Sequence, residues 1–219
     1  MSGSTDATLR VNEIFYSIQG ESSHAGRPCV FVRLTGCPLR CNYCDTEYAF
    51  YEGRSMRVDE IVAAVRAHPA RLVEVTGGEP LAQPESIPLM QRLLDAGYEV
   101  LLETSGALDV SNVPSPVRKI LDLKTPDSGE VERNLWSNLA HLASHDEVKF
   151  VIQSRRDYEW ARATMREHRL DARVQVLFSP VWESAVRADL ARWMLEDALP
   201  ARYQLQLHKI LWPGVERGV

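Results

Sequence analysis

Short apolar segments rich in β-branched residues alternate with amphipathic segments along most of the chain. The segment 28–35 (PCVFVRLT) predicts a strand, and residues 57–68 carry apolar side chains at helical spacing. Further strands are predicted at 72–76, 98–103, 117–123, 147–152, 173–178 and 203–208, and further helices at 86–96, 134–144, 157–168 and 184–197. This alternation predicts βα units, and hence an α/β fold with a parallel sheet and right-handed crossovers.

Polar residues and glycines follow the predicted strands at their carboxyl ends. They include Gly36 with the cysteines after it, and the segments 76–80 (TGGEP), 103–106 (ETSG), 122–126 (DLKTP), 153–154, 179–180 and 208–209. Each segment alone is typical of a turn. Because the carboxyl ends of parallel strands meet at one edge of a sheet, their succession predicts a functional site there.

The composition indicates one folded domain. The chain has 219 residues, of which 45% are hydrophobic and 25% charged, and this excludes a disordered or collagen-like protein. No repeat or linker interrupts the pattern, so residues 1–219 are predicted to form a single domain with 1–8 as a flexible leader. No apolar run approaches the roughly 20 residues that cross a bilayer, and no secretion signal is present. We therefore expect a cytoplasmic protein without a membrane partner.

The charge balance excludes another class of function. The chain carries 25 Lys and Arg against 30 Asp and Glu, a formal net charge of −5. A nucleic-acid-binding protein normally shows a basic excess or stripe, so no nucleic-acid partner is expected.

Three of the four cysteines lie within eight residues, as Cys37, Cys41 and Cys44 in a C-x3-C-x2-C loop. Structural zinc normally takes four ligands, and Cys29 lies inside a predicted strand, where a small buried thiol is common. A 4Fe–4S cluster held by three cysteines leaves one iron open for a substrate or cofactor. The spacing therefore favours such a cluster over zinc.

The cysteine loop after one strand and Gly-Gly-Glu-Pro after the next resemble the radical S-adenosylmethionine (SAM) enzymes. The resemblance implies a compact (β/α) partial barrel in which the open iron is chelated by the amino and carboxylate groups of SAM. Reduction of SAM by the cluster then yields a 5′-deoxyadenosyl radical, and the protein supplies ligation and positioning.

Further segments, in order, are similar to the 7-carboxy-7-deazaguanine synthases. They are 13–21 (EIFYSIQGE), 26–28 (GRP), 44–46 (CDT), 76–80 (TGGEP), 103–106 (ETSG) and 206–209 (QLHK). The resemblance implies conversion of 6-carboxy-5,6,7,8-tetrahydropterin to 7-carboxy-7-deazaguanine with loss of ammonia, in queuosine and deazapurine biosynthesis. It also implies a magnesium ion (Mg²⁺) at the substrate carboxylate.

The resemblance assigns roles by position. The implied cluster ligands are Cys37, Cys41 and Cys44, and Thr46 is the implied Mg²⁺ ligand. The implied SAM contacts are Tyr43, Cys44, Asp45, Gly78, Glu79, Ser105, Asp122, Leu123, Lys124, Ser179, Pro180, Val181 and Trp182. The implied substrate contacts are Ile18, Gln19, Gly20, Glu21, Arg33, Thr76, His208 and Val219. Some relatives carry Ser-Pro-Lys where this chain has Asp122-Leu123-Lys124, which leaves the contacts of Asp122 and Leu123 open.

Most of these roles have an alternative. Gly78 alone fits a strand-ending turn, Lys124 a strand-end salt bridge, Arg33 a surface position and His208 the core. Thr46 fits a helix cap. For Val219, Pro213-Gly214 predicts that the chain turns back so that its terminal carboxylate accepts from the pterin, and a packed terminus without ligand contact is the alternative.

The expected partners are the small-molecule pterin and an electron donor such as flavodoxin or ferredoxin. Sparse helical cover between residues 48 and 56 favours a homodimer that shields the cluster. Two other functions stay open at this point: a glycyl-radical enzyme activase, and a non-catalytic iron–sulfur or zinc protein.

Overall fold

The computed structural model describes residues 7–182 and 184–219 and contains one nine-stranded sheet in the order β3-β1-β2-β4-β5-β6-β7-β8-β9. The strands are β1 (Thr8–Ile18), β2 (Pro28–Leu34), β3 (Arg54–Arg57), β4 (Leu72–Gly77), β5 (Glu99–Thr104), β6 (Arg118–Leu123), β7 (Glu147–Ile152), β8 (Gln175–Pro180) and β9 (Arg202–Tyr203). The helices are α1 (Val58–Arg66), α2 (Ser86–Asp95), α3 (Arg155–Glu167), α4 (Arg187–Glu196) and α5 (Leu207–Leu211). None of the helices in these ranges is long and apolar enough to cross a membrane.

Strands β2 and β4–β9 run parallel, whereas β1 is antiparallel to β2 and β3. The sheet does not close, because β3 and β9 form its two edges. The predicted α/β fold with a parallel partial barrel is therefore confirmed.

The two faces of the sheet carry different side chains because successive residues of a strand point to opposite faces. The outer face is apolar and packs in one core with α1–α4, as Val73, Leu102 and Phe150 show. The inner face has a small apolar layer of Phe15, Cys29, Phe31, Leu72, Leu101 and Ile120. Two residues further along the strands, the inner face carries Arg33, Glu74, Glu103, Asp122 and Lys149. The sheet therefore presents a charged layer above an apolar floor.

The segment between β1 and β2 lies against the inner face rather than forming a tight hairpin. Gln19 Nε2 donates to Glu74 on β4, and the Ser22 amide donates to Gln204 Oε1 at 2.9 Å. Ser23 donates to Glu147 at the start of β7. These contacts hold residues 19–23 beneath the carboxyl ends of the parallel strands.

Four local predictions are corrected by the structure. The segment 203–208 is a two-residue strand followed by α5, and 134–144 forms 3₁₀ turns, including Trp136–His141, instead of an α-helix. The antiparallel strands β1 and β3 were not predicted, and β3 occupies 54–57, just before α1. The expected leader 1–8 is wrong at Thr8, which begins β1 and pairs with Arg57, while residues 1–6 lie outside the described residues.

The apolar floor can be tested with a pair of leucines. Leu101→Ala should lower the free energy of unfolding by about 2–5 kcal/mol, because the side chain is fully buried and its removal leaves a cavity. Leu195→Ala is the control, since Leu195 on α4 is 81% exposed and should change stability by less than about 0.5 kcal/mol. Urea unfolding of the apoprotein measures both, and equal costs would contradict this description of the inner face.

Candidate active site

A cavity of about 800 Å³ lies at the carboxyl end of the parallel strands. Almost every site residue expected from the sequence lines it. These are Ile18, Gln19, Gly20, Glu21, Arg33, Cys37, Cys41, Tyr43, Cys44, Asp45, Thr46, Thr76, Gly78, Ser105, Asp122, Lys124, Ser179, Pro180, Val181, Trp182, His208 and Val219. Glu79 and Leu123 do not line the cavity.

The cysteine loop follows β2 directly, and its three thiols face the cavity without forming a disulfide. The Leu39 amide donates to Cys37 Sγ at 3.5 Å, and burial raises the pKa of the Cys41 thiol to about 11. Cys29 is fully buried in the apolar floor, as predicted for a packing residue. The available donors are thus three half-buried thiols, which fits a 4Fe–4S cluster with one open iron.

Glycines allow the loop after β4 to touch the base of the cysteine loop. A Cβ on Gly78 would collide with Gly36 O and lie 2.8 Å from Cys37 Cβ. Gly77 has φ +141°, a conformation that favours glycine, and a Cβ there would collide with the Leu34 backbone. The Glu79 amide then donates to Gly36 O at 2.8 Å. The two glycines are therefore required by this close approach, whatever ligand Gly78 contacts.

Glu79 does not line the cavity, which corrects the expectation that its side chain contacts SAM. Its carboxylate is fully buried and accepts from the Leu81 amide and Thr104 Oγ1, each at 2.9 Å, and from the Ser105 amide at 2.7 Å. The Glu79 carboxylate thus ties the loop after β4 to the end of β5. It positions Ser105, which does line the cavity.

The segment 122–124 places alternate side chains on opposite faces of β6. Leu123 points into the outer core, away from the cavity, and its contact with SAM, which the sequence left open, stays a prediction. Lys124 Nζ lies 2.9 Å from Asp122 Oδ2, so the predicted alternative of a strand-end salt bridge is present inside the cavity. Asp122 Oδ1 is buried and has no hydrogen-bond partner among the described residues. That oxygen remains available to accept a hydrogen bond from a ligand.

The opposite wall of the cavity consists of the segment after β1 and of α5. The Leu207 amide donates to Gly20 O at 2.9 Å, and a Cβ on Gly20 would collide with the His208 ring. Burial lowers the pKa of His208, so the imidazole is neutral near pH 7. Gln206 Nε2 donates to Glu21 Oε1 at 3.0 Å. His208 thus lines the pocket at the side of Gly20, not in the apolar core.

Arg33 projects from β2 into the cavity and is 16% exposed, which excludes the alternative of a surface position. Its Nε donates to Glu13 Oε1 at 2.8 Å, and its guanidinium lies 5.7 Å from the Phe15 ring centroid and 5.8 Å from that of Tyr48. The terminal nitrogens make no hydrogen bond to any described residue. The Arg33 guanidinium is thus held through Nε, and its two terminal nitrogens remain available to bind an anion.

Asp45 and Thr46 connect the cysteine loop to α5. Asp45 Oδ2 accepts from Gln206 Nε2 at 3.0 Å and from Lys209 Nζ at 2.7 Å. Partial burial opposes ionisation, but the Lys209 ammonium holds the pKa of Asp45 well below its usual range. Thr46 Oγ1 donates to Asp45 Oδ1 at 2.9 Å and makes no capping hydrogen bond to the 3₁₀ turn that follows.

The residues after α5 turn back along the cavity. Gly214 has φ +77°, and the Val215 amide donates to Trp212 O at 3.1 Å. Arg217 Nη1 lies 2.7 Å from Glu52 Oε2, and the Gly218 amide donates to Glu13 Oε2 at 3.2 Å. Val219 consequently lines the cavity near Arg33, whose Nε binds the same Glu13 side chain.

Three charged side chains on the inner face of the sheet were not assigned a role: the sequence analysis missed Glu74 and Lys149, and it noted Glu103 only within the segment 103–106. Each is a charged residue in an otherwise largely apolar strand, within LVEVTG, EVLLET and EVKFVI. A charge at a position that alternates with buried apolar residues is expensive unless it is paired. A charged residue at such a position within an apolar strand is the sequence signal that would have indicated these side chains.

Comparison with a family model and with a solved structure identifies the class of protein. Residues 31–167 match the model of the radical SAM superfamily. The structure superposes on the crystal structure of QueE from Escherichia coli with a TM-score of 0.76, covering 92% of this chain and 95% of that one. At 24% identity this likeness concerns the fold. A 4Fe–4S cluster and SAM are the cofactors of this superfamily.

Sequence relatives define the family within that class. A 7-carboxy-7-deazaguanine synthase of Koribacter versatilis is 49% identical over 226 residues, covering 96% of this chain and the whole of the relative. Another, of Chlorobaculum tepidum, is 48% identical over 220 residues, covering 99% of this chain and the whole relative. The chain belongs to the 7-carboxy-7-deazaguanine synthase family of the radical SAM superfamily.

The cysteine assignment can be tested by substitution. Cys37→Ala, Cys41→Ala and Cys44→Ala should each abolish the iron–sulfur absorbance and SAM cleavage, because each removes one of only three ligands. Cys29→Ala is the control and should retain iron content near that of the unsubstituted protein. Anaerobic reconstitution followed by iron and sulfide determination measures the effect. An equally essential Cys29 would replace the open-iron site with a four-cysteine site.

Proposed function

We propose that this protein converts 6-carboxy-5,6,7,8-tetrahydropterin to 7-carboxy-7-deazaguanine with loss of ammonia, as a carbon–nitrogen lyase that serves queuosine or deazapurine biosynthesis. The observation that carries the proposal is one cavity that has the three-cysteine loop on one wall, Glu21 and His208 on the opposite wall, and Arg33 projecting into it from β2. Its volume of about 800 Å³ lies in the range of about 300–1,000 Å³ typical of small-molecule sites.

The cofactor half of the cavity fits SAM. When bound, the cluster and SAM supply a radical that abstracts hydrogen from the substrate. Cys37, Cys41 and Cys44 hold the cluster in this proposal. The residues that contact SAM are Tyr43, Asp45, Gly78, Ser105, Asp122, Lys124 and 179–182. The unpartnered Asp122 Oδ1 gives this chain an acceptor for a SAM hydroxyl or ammonium group, where some relatives have serine.

The substrate half fits a carboxylated pterin. The free end of the Arg33 fork binds the substrate carboxylate through two parallel hydrogen bonds. Ile18, Gln19, Gly20, Glu21, Thr76, His208 and Val219 surround the ring. Because ring N–H groups are donors, the carboxylate of Glu21 and the carbonyls of this wall are suitable acceptors. Binding between these two walls fixes the substrate beside the SAM position.

The reductant and the assembly are further parts of the proposal. Flavodoxin or ferredoxin supplies the electron in the cytoplasm. A homodimer shields the cluster side, where the 3₁₀ turn Glu47–Phe50 is followed by Tyr51, which is 71% exposed.

The activity can be tested directly. The anaerobically reconstituted protein should form 7-carboxy-7-deazaguanine and 5′-deoxyadenosine from the tetrahydropterin, SAM and a reductant. Mass spectrometry detects both products, and the Cys41→Ala variant is the matched control. SAM cleavage without a deazapurine would refute the proposed substrate and favour a glycyl-radical activase. Failure to cleave SAM despite an intact cluster would favour a non-catalytic iron–sulfur protein.

The magnesium role of Thr46 gives a separate prediction. Among the described residues, no three His, Cys, Asp or Glu side chains converge on one metal ion. The cysteines of a 4Fe–4S cluster each bind a different iron and need no such convergence, whereas Mg²⁺ at Thr46 would have to take most ligands from substrate and water. Turnover should be stimulated by Mg²⁺, and Thr46→Ala should weaken that stimulation by about 10-fold or more in kcat/KM with cluster content unchanged. Thr8→Ala, at the exposed start of β1 and outside the cavity lining, is the control for loss of a threonine hydroxyl. Full activity in a strong chelator would exclude the ion.

A further inference from the structure

Lys149 lines the cavity, and none of the roles assigned above uses it. It projects from the inner face of β7, between the outward-facing Val148 and Phe150, and its side chain is 6% exposed. A buried ammonium is expensive unless it is paired, so its neighbours should explain its presence.

Three carboxylates surround the ammonium from three different elements. Lys149 Nζ donates to Glu21 Oε2 at 3.0 Å and to Glu103 Oε1, and it lies 3.6 Å from Asp122 Oδ2. Asp122 already has a cation of its own in Lys124, at 2.9 Å. Lys149 is therefore the cation that Glu21 and Glu103 share.

The outer side of the two carboxylates remains available to a ligand. Glu21 and Glu103 are 17% and 27% exposed in their side chains, whereas Lys149 is almost covered. Glu103 Oε2 has one long hydrogen bond, accepted from Thr76 Oγ1 at 3.4 Å. A ligand in the cavity thus meets the carboxylates rather than the ammonium.

The charges around this cluster keep Glu21 ionised. Burial would raise the pKa of Glu21, but Lys149, His208 and Gln206 lower it overall, against the effect of Asp45. Glu74, on the adjacent strand, behaves differently: burial and its neighbours Glu103 and Glu21 raise its pKa well above the usual range, although Lys149 and Arg33 oppose this. The pKa values of Glu21 and Glu74 are therefore shifted in opposite directions, and Glu21, which contacts Lys149, has the lowered one.

We propose that Lys149 is a positioning residue that fixes Glu21 and Glu103 as a pair of acceptors for the 2-amino and ring N–H donors of the pterin. The inference rests on the proposed function and adds a specificity determinant to it. The cation binds one oxygen of each carboxylate, so the paired geometry is set before substrate arrives. Charged acceptors make stronger hydrogen bonds to N–H donors than neutral ones, and the pair selects a ring with a 2-amino group.

Lys119 provides a matched control for the loss of a buried lysine. It lies on the neighbouring strand β6, is 5% exposed and pairs with Asp146 at 2.8 Å, but it does not line the cavity. Lys119→Met and Lys149→Met therefore remove the same charge from similar burial. Only the second leaves Glu21 and Glu103 without their shared cation.

The experiment measures binding of two oxidised probes to the reconstituted protein with SAM: 6-carboxypterin, and 6-carboxylumazine, in which an oxo group replaces the 2-amino group. The unsubstituted protein should prefer the pterin by about 30-fold or more, since an unmet buried acceptor costs about 2 kcal/mol. Lys149→Met should reduce this preference to about 3-fold or less and raise KM for the tetrahydropterin about 10-fold or more. Lys149→Arg should restore most of the preference, and Lys119→Met should keep it. Lys119→Met should also keep SAM cleavage without substrate, and thermal unfolding controls for folding in every variant.

The outcomes separate the inference from the proposed function. A Lys149→Met variant with unchanged preference, or one that binds both probes more weakly by the same factor, would overturn the positioning role while the function stands. If Lys149→Met does not fold, Lys149→Gln replaces it as the uncharged variant, and an unchanged preference in that variant overturns the positioning role. An unsubstituted protein that binds neither probe would refute the proposed substrate, and the inference with it.

Discussion

The close approach of two loop backbones, at Gly36 and Gly78, is the constraint on which the site depends. The cysteine loop has few contacts of its own with the sheet, and its base is fixed where the Glu79 amide donates to Gly36 O at 2.8 Å. The buried Glu79 carboxylate then extends this fixation to Ser105 at the end of β5. The cysteine loop is thus registered against β4 by backbone contacts that tolerate no side chain, and against β5 through the Glu79 carboxylate.

The second constraint is electrostatic. The inner face carries Arg33, Lys124 and Lys149 together with several carboxylates above an apolar floor. A charged layer at this depth lowers stability unless each member is paired, and every cation in it has a carboxylate within 3.0 Å. The pairing leaves selected atoms free, such as Asp122 Oδ1 and the end of the Arg33 fork. The layer is therefore organised for ligands rather than for stability.

The sequence predicted the parallel strands well, because buried strands are short, β-branched and bounded by glycines and polar residues. It predicted the cavity walls equally well, because the carboxyl ends of such strands must meet. It failed where tertiary contacts decide: β3 is only four residues long, and 134–144 has helical composition but forms 3₁₀ turns in which Asn138 binds backbone carbonyls at Gly106 and Leu108. It also gave the Glu79 side chain a contact with SAM by motif, whereas burial places that carboxylate away from the cavity.

The substrate wall joins parts of the chain that are far apart in sequence. The Leu207 amide binds Gly20 O, and Gln206 Nε2 donates both to Glu21 and to Asp45, each at 3.0 Å. Gln206 therefore spans the gap between the segment after β1 and the cysteine loop. Because contacts of such long separation form only after the intervening strands are in register, this wall depends on completion of the sheet. The Gln206 amide and the Lys209 ammonium thereby connect the two halves of the cavity through Asp45.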